Sequence, residues 1–235
     1  MSNPYFEFKQ FTIWHDKCAM KVGTDGVLLG AWASVKDAKQ ILDIGTGTGL
    51  IALLLAQRNS HSHITAIEID SDAAMQAEEN ITRSPWSDRI SIICNDFRIY
   101  KSNIKYDLVI SNPPYFIDSL RCPDKQRNVA RHADTLNYEV FFHRSAHLLC
   151  ENGSVDIIIP TEVEKIVIDT AWKYNLFPSQ RLKVYSKPEG PCRRVLISFS
   201  FQEKKCIDEN ICIRLSSNEF TPEYIALTRD FYLKM

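Results

Sequence analysis

The chain has 235 residues, 45% of them hydrophobic and 24% charged, which is enough apolar material for a sheet covered on both faces and too much for long disordered stretches. A net charge of −1 excludes the overall positive field of a non-specific nucleic-acid binder, so any RNA contact has to come from a local patch. Seven cysteines scattered singly, with no CxxC pair, exclude a disulfide framework and point to free thiols; Cys94 and Cys150, in apolar surroundings, read as small core residues.

The first forty residues are rich in aromatics (Tyr5, Phe6, Phe8, Phe11 and Trp14) and predict a small β element, with a helix in MKVGTDGVLLGAWA beside a ligand crevice. Pro4, Glu7 and Lys9 fall where a secretion signal needs an unbroken apolar run, and IALLLA and DIIIP are too short to span a bilayer. A cytoplasmic protein without membrane contact is expected. From residue 40 onward, short β-branched runs alternate with amphipathic stretches. QILDI, HITAIEI, ISIIC, YDLVIS, SVDIIIP, LKVYS and RRVLISFSF read as strands; LIALLLAQ, DAAMQAEENITRS, NYEVFFHRSAHLL and EVEKIVIDTAWKYN read as helices. That alternation belongs to an α/β fold, a parallel sheet with helices on both faces. The last two strands are joined by SKPEGP instead of a helix, which predicts a hairpin at one side and a seven-stranded, mostly parallel sheet with one antiparallel edge strand. A further strand, a turn at Thr221 and Pro222, and a C-terminal helix follow. A single domain is expected, with residues 1–40 as the leading β element and helix, 41–201 as the core and 202–235 as an extension.

Directly after the first core strand stands Asp43-Ile44-Gly45-Thr46-Gly47-Thr48-Gly49, leading into the helix LIALLLA. Glycines there let the backbone turn sharply and let a ligand approach the main chain near a helix N-terminus. The spacing is G-x-G-x-G with an acid ahead, unlike the G-x-G-x-x-G of a dinucleotide loop. It suits S-adenosylmethionine, which has no pyrophosphate to cradle and whose ammonium group favours a carboxylate such as Asp43. Gly45, Thr46, Gly47 and Gly49 form the loop. Glu68, nineteen positions after Gly49 and followed by Ile69, ends the second strand, where a carboxylate can accept from both ribose hydroxyls. Asp70 is its rival, although with Ser71 it can also cap the next helix. After the third strand, Asp96 is a candidate acceptor for an adenine amino group and Phe97 a ring to pack on the base.

The strand YDLVIS ends in Asn112-Pro113-Pro114-Tyr115. An amine on an aromatic ring is a poor nucleophile, because its lone pair is delocalised. A site that methylates it must hold it in line and draw its protons toward acceptors as charge builds on nitrogen. The Asn112 side-chain oxygen and the Pro113 carbonyl are two such acceptors, Pro114 stiffens the backbone behind them, and Tyr115 offers a face for a target base.

The glycine loop together with Asn112-Pro113-Pro114-Tyr115 resembles the class I N-methyltransferases that act on adenine or on glutamine amides. MKVGTDGVLLGAW from Met20, RNVARH from Arg127, and FTPEY from Phe220 with DFYL from Asp230 resemble, more narrowly, the bacterial tRNA1(Val) adenine-N6 methyltransferases, over nearly the whole chain. This resemblance implies a Rossmann-like methyltransferase fold and methylation of adenine 37, next to the anticodon. It also implies that residues 21–25 help close the cofactor pocket.

Local charge suits an RNA partner. Arg121, Lys125, Arg127 and Arg131 with His132 follow the catalytic loop, and Arg181, Lys183, Lys187, Arg193 and Arg194 surround the predicted hairpin. His143 and His147, at helical spacing, have no evident third ligand, so no metal is expected; His61 and His63 read as surface residues. A monomer is expected. The alternatives are a protein glutamine methyltransferase, another RNA or DNA amine methyltransferase, and an oxidoreductase or nucleotide-binding module on a similar sheet.

Overall fold

A computed structural model of the chain describes residues 3–18, 21–113 and 137–234. In chain order its elements are β1 (Tyr5–Glu7), β2 (Thr12–Trp14), α1 (Thr24–Trp32), β3 (Gln40–Ile44), α2 (Leu50–Arg58), β4 (His63–Glu68), α3 (Ser71–Thr82), β5 (Ile90–Cys94) and β6 (Tyr106–Ser111). Then come α4 (Tyr138–Leu148), β7 (Leu149–Pro160), a 3-10 turn (Thr161–Val163), α5 (Glu164–Trp172), β8 (Phe177–Tyr185), β9 (Cys192–Ser200), β10 (Ile207–Cys212) and α6 (Pro222–Thr228). β1 and β2 pair as a hairpin; the other strands form one sheet in the order β10-β8-β9-β7-β6-β3-β4-β5.

β3 to β7 are all parallel to one another, and the order reverses between β3 and β6. Successive connections therefore leave in opposite directions at that point, which opens a crevice at the carboxyl ends of the strands. The two faces are separated by strand alternation. Ile41, Leu108, Ile110 and Ile158 face α1 and α2, whereas Leu42, Val109, Val155, Ile157 and Ile159 face the layer of Phe141, Phe142, Val167 and Ala171.

The sheet has eight strands, one more than expected. β10 pairs in parallel with the outer side of β8, from Ile207 opposite Gln180 to Cys212 opposite Tyr185. The reversed strand, β9, lies between β7 and β8 and is antiparallel to both, so the edge itself belongs to β10. The hairpin was legible from its turn; the capture of β8's free edge was not, because open N–H and C=O groups accept any extended segment that reaches them. Cys94 and Cys150 are corrected: Cys94 is exposed at the end of edge strand β5, and Cys150 is half-buried at the start of β7. The six described cysteines are free, and among the described residues no helix is long and apolar enough to cross a membrane.

The leading and trailing segments pack together against α1 and α3. Phe8 stacks on Phe11 and on Tyr232, at 4.7 and 5.8 Å between ring centroids, and the Lys9 amide donates to the Phe231 carbonyl. α1 is buried from Gly26 to Ala31 and crosses α2 closely. At Gly30 a Cβ would stand 2.9 Å from Leu54 Cβ and 2.6 Å from its Cδ1. Because the Leu54 Cβ cannot rotate away, Gly30→Ala forces the helices apart, at a typical overpacking cost of about 1–3 kcal/mol, against a helix-propensity gain of about 1 kcal/mol. Urea denaturation is expected to show a net loss of stability for this variant; a gain would refute the close crossing.

Candidate active site

At the end of β3 the chain makes three left-handed steps, at Gly45 (φ 68°), Gly47 (φ 57°) and Gly49 (φ 82°), before α2 begins. An L side chain is strained in each of them. Above Gly45 and Gly47 a Cβ would meet nothing within 4 Å, so the loop presents bare backbone to open space. Asp43 lies beneath it, fully buried; the Thr46 hydroxyl donates to its Oδ2 at 2.6 Å, and its Oδ1 has no hydrogen-bond partner. Burial pushes the Asp43 carboxyl up to about 7, with the charge of Glu68 adding to the rise and the Thr46 hydroxyl and the Ala52 amide opposing it.

Glu68 ends β4 and is bonded to the chain around it. Its Oε2 accepts from the Gly47 amide at 2.9 Å, and its Oε1 accepts from the amides of Ile69 and Asp70 at 2.8 and 3.0 Å. Asp70 instead accepts from the Ala73 amide and caps α3. Of the two rival carboxylates, Glu68 thus faces the glycine loop. Ile69 beside it is 62% exposed, an apolar side chain left in solvent at the mouth of the crevice.

Asn80 and Gln76, on the inner side of α3, fasten the amino-terminal segment to this loop. The Asn80 amide nitrogen donates to the carbonyls of Trp14 and Thr48, and its oxygen accepts from the Trp14 amide, each at 2.9 Å. The Gln76 oxygen accepts from the Lys17 amide at 3.0 Å. This brings Cys18 near Glu68 and Asp70: burial first, then those two charges, push its thiol up to about 11. Sequence reading missed both amides, although their spacing among Ala73, Ala77 and Ile81 put them on α3's apolar face.

After β5, Asp96 is held by Arg98, whose Nε and a terminal nitrogen donate to Oδ2 at 2.8 and 2.7 Å. That contact holds the Asp96 carboxyl below the usual carboxylate range. Phe97 is corrected: it is 4% exposed and packs in the core with Phe141, Ile44 and Ile67 instead of presenting its ring at the surface.

Asn112 leaves β6 beside the glycine loop, on the other side of the switch point, with Pro113 buried after it. Ser111 ties the two strand ends together by donating to the Ile44 carbonyl at 2.8 Å. α1 closes over them: a Cβ on Gly26 would stand 4.0 Å from Asn112 Nδ2. Pro114, Tyr115, Arg121, Lys125, Arg127, Arg131 and His132 lie outside the described residues.

The second basic cluster divides. Arg181 lies between Glu164 and Asp208, at 2.6 Å from each, and Arg194 bonds Asp25 at 2.7 Å, joining the start of β9 to α1. These two arginines hold elements together, while Lys187, in the turn between β8 and β9, and Arg193, at the start of β9, stand exposed. His143 and His147 pack ring to ring, 4.6 Å apart, on the exposed side of α4. Among the described residues no three His, Cys, Asp or Glu side chains are grouped to hold a metal ion.

Comparison with known proteins extends the geometry. A chain from Bacteroides fragilis named tRNA1(Val) (adenine(37)-N6)-methyltransferase is 55% identical over 238 residues, covering 100% of both chains. One of the same name from Bacteroides thetaiotaomicron is 53% identical with the same coverage, and one from Pectobacterium carotovorum is 42% identical over 98% of this chain and 94% of its own. Among solved structures, one from Agrobacterium tumefaciens described as a predicted O-methyltransferase superposes with a TM-score of 0.69 at 16% identity, over 88% of this chain and 96% of its own. The N-methyltransferase NodS of Bradyrhizobium japonicum, solved with S-adenosyl-L-homocysteine, gives 0.54 at 16% identity, over 75% and 84%. These distant likenesses show the fold. Residues 21–166, which include the glycine loop, Glu68 and Asn112, match the methyltransferase small domain, and the chain belongs to that family.

Proposed function

We propose that the chain transfers a methyl group from S-adenosylmethionine to N6 of an adenine in tRNA, adenine 37 of tRNA1(Val). The observation that carries this reading is the position of Asn112, at the end of β6 directly across the switch point from the bare glycine loop. The names of relatives 55% and 53% identical over the full chain support the substrate.

The residues present fit the cofactor. Open space above Gly45 and Gly47 accepts a ligand against the backbone, and the unpartnered Oδ1 of Asp43 suits an ammonium group. Beyond its three amide contacts, Glu68 has about one lone-pair site left, on Oε2, for a ribose hydroxyl. Ile69 supplies apolar surface for the base, and Asp96, fixed by Arg98, an acceptor for its amino group. Bound there, the cofactor supplies an electrophilic methyl carbon on a sulfonium.

The protein's own task is to make a delocalised amine attack. The Asn112 Oδ1 and the Pro113 carbonyl accept hydrogen bonds from the two amine N–H groups, which localises the lone pair on nitrogen and stabilises the charge that grows there. Tyr115 holds the ring by stacking, and Arg121, Arg127, Arg131 and His132 with Arg193 meet the flanking phosphates. Arg194, bonded to Asp25, acts as a positioning residue for α1. After transfer, the cationic nitrogen releases a proton, so no strong base is required.

The wild-type protein with labelled S-adenosylmethionine is expected to place label on N6 of adenine 37 in tRNA, and Asn112→Ala to lower kcat by about 10²–10³-fold. Label on a protein glutamine instead of on tRNA would overturn this assignment. A second expectation follows from Asp43. With its pKa at about 7, Asp43 is mostly protonated at pH 6 and mostly ionised at pH 8, and only the ionised form attracts an ammonium group. Affinity for S-adenosylhomocysteine should therefore improve about tenfold from pH 6 to pH 8, and Asp43→Asn should bind weakly with no such slope. Calorimetric titration checks it; a flat wild-type profile removes Asp43 from the ammonium site.

A further inference from the structure

A groove of about 750 Å³ runs between the β1–β2 hairpin and the carboxyl-terminal segment, and neither the glycine loop nor Asn112 lines it. Its place follows from strand direction. β8 runs parallel to β7's direction across the intervening β9, and β10 is parallel to β8, so Ser186, Ile213 and Arg214 follow strand ends on the same rim as Asn112. The rim thus has two halves. The ends of β3, β4 and β5 carry the glycine loop, Glu68 and Asp96; the ends of β8 and β10 open into this groove. Val22, Gly23 and Thr24 line its inner side and lead into α1, whose Gly26 backs onto Asn112.

The lining combines flat rings with positive charge. Phe6, Phe220 and Tyr232 are partly exposed; the Phe220 ring stacks on Tyr224 at 5.2 Å and carries Arg214 4.2 Å from its centroid, so the guanidinium plane extends the stack. Arg214 and Lys234 are its cations and Glu7 its acid, while exposed Lys187 and Arg193 extend the positive side along the β8–β9 turn. Rings beside arginine are the combination that holds single-stranded nucleic acid: bases stack on the rings and cations meet the phosphates. A chain of net charge −1 has no general attraction for RNA, which makes a local arrangement of this kind necessary for an RNA substrate.

We propose that this groove holds the unpaired RNA strand next to the target adenine, with a base on the Arg214–Phe220 stack and its phosphates on Arg214 and Lys234. The proposal rests on the tRNA reading above. Three full-length variants test it: Arg214→Gln with Lys234→Gln, Phe220→Leu, and Ser186→Glu, the last adding a negative charge at an exposed position without removing any packing. Affinity for tRNA is read by fluorescence anisotropy across a salt series, and affinity for S-adenosylhomocysteine by calorimetry. The double variant is expected to bind tRNA about tenfold more weakly, with a salt slope smaller by roughly 1.5, about 0.7 per lost phosphate contact on a single strand. Phe220→Leu should lose at least about fivefold, Ser186→Glu should also weaken tRNA binding, and all three should keep wild-type affinity for S-adenosylhomocysteine. Unchanged tRNA affinity and salt slope in the three variants, with a wild type that methylates tRNA, overturns the groove and leaves the function standing. Equal loss of cofactor affinity overturns it too, since the variants would then act through the fold. A wild type that neither binds nor methylates tRNA removes the function and the groove together.

Discussion

The carboxylate of Glu68 accepts from three backbone amides, those of Gly47, Ile69 and Asp70, and so ties the glycine loop after β3 to the start of α3 after β4. Each such charge-assisted bond contributes about 1.5–3 kcal/mol, and an amide deprived of its acceptor near the interior costs a similar amount. A loop with three left-handed steps has no repeating hydrogen-bond pattern of its own to hold it. The carboxylate supplies what regular secondary structure cannot, and the bare peptide surface above Gly45 and Gly47 keeps its shape because of it. Asn80 repeats the device from the other side, joining the Thr48 carbonyl to both backbone groups of Trp14.

From this fixed loop the crevice is assembled by topology. The reversal of strand order between β3 and β6 leaves a gap at the carboxyl rim, and Ser111 bridges it by bonding to the Ile44 carbonyl. Asn112 is therefore held relative to the loop by one hydrogen bond and the pairing of two parallel strands. The geometry also explains why α1 carries glycines where it meets neighbours: Gly26 and Gly30 let the helix close down on Leu50, Leu54 and the Asn112 amide.

Charge on this protein divides by position. Arg181 and Arg194 lie in ion pairs whose atoms are about three-quarters shielded on the arginine side, and they hold α5 to β8 and β10, and α1 to β9. Pairs this close to solvent contribute little net stability, about 0–1 kcal/mol, so their consequence is alignment. The exposed cations Lys187 and Arg193 sit where the strand ends face outward. Asp43 is the opposite case: its burial without a full set of donors raises its carboxyl to about 7.

The alternating strands and helices, the place of the glycine loop and the position of Asn112 at a strand end are legible in the sequence, as is the capping role of Asp70 beside Glu68. These are local properties: side-chain period, backbone freedom at glycine, and residue type at a strand end. Tertiary contacts decide that β10 covers the edge of β8, that Phe97 turns into the core, that Arg181 and Arg194 are bonded to carboxylates, and that the leading and trailing segments line one groove. Each of those depends on partners distant in the chain. Arg194 and Asp25 are 169 residues apart, and neither one's neighbours record the other. A charge or a ring in a sequence shows what it can bind, and the fold settles which partner reaches it first.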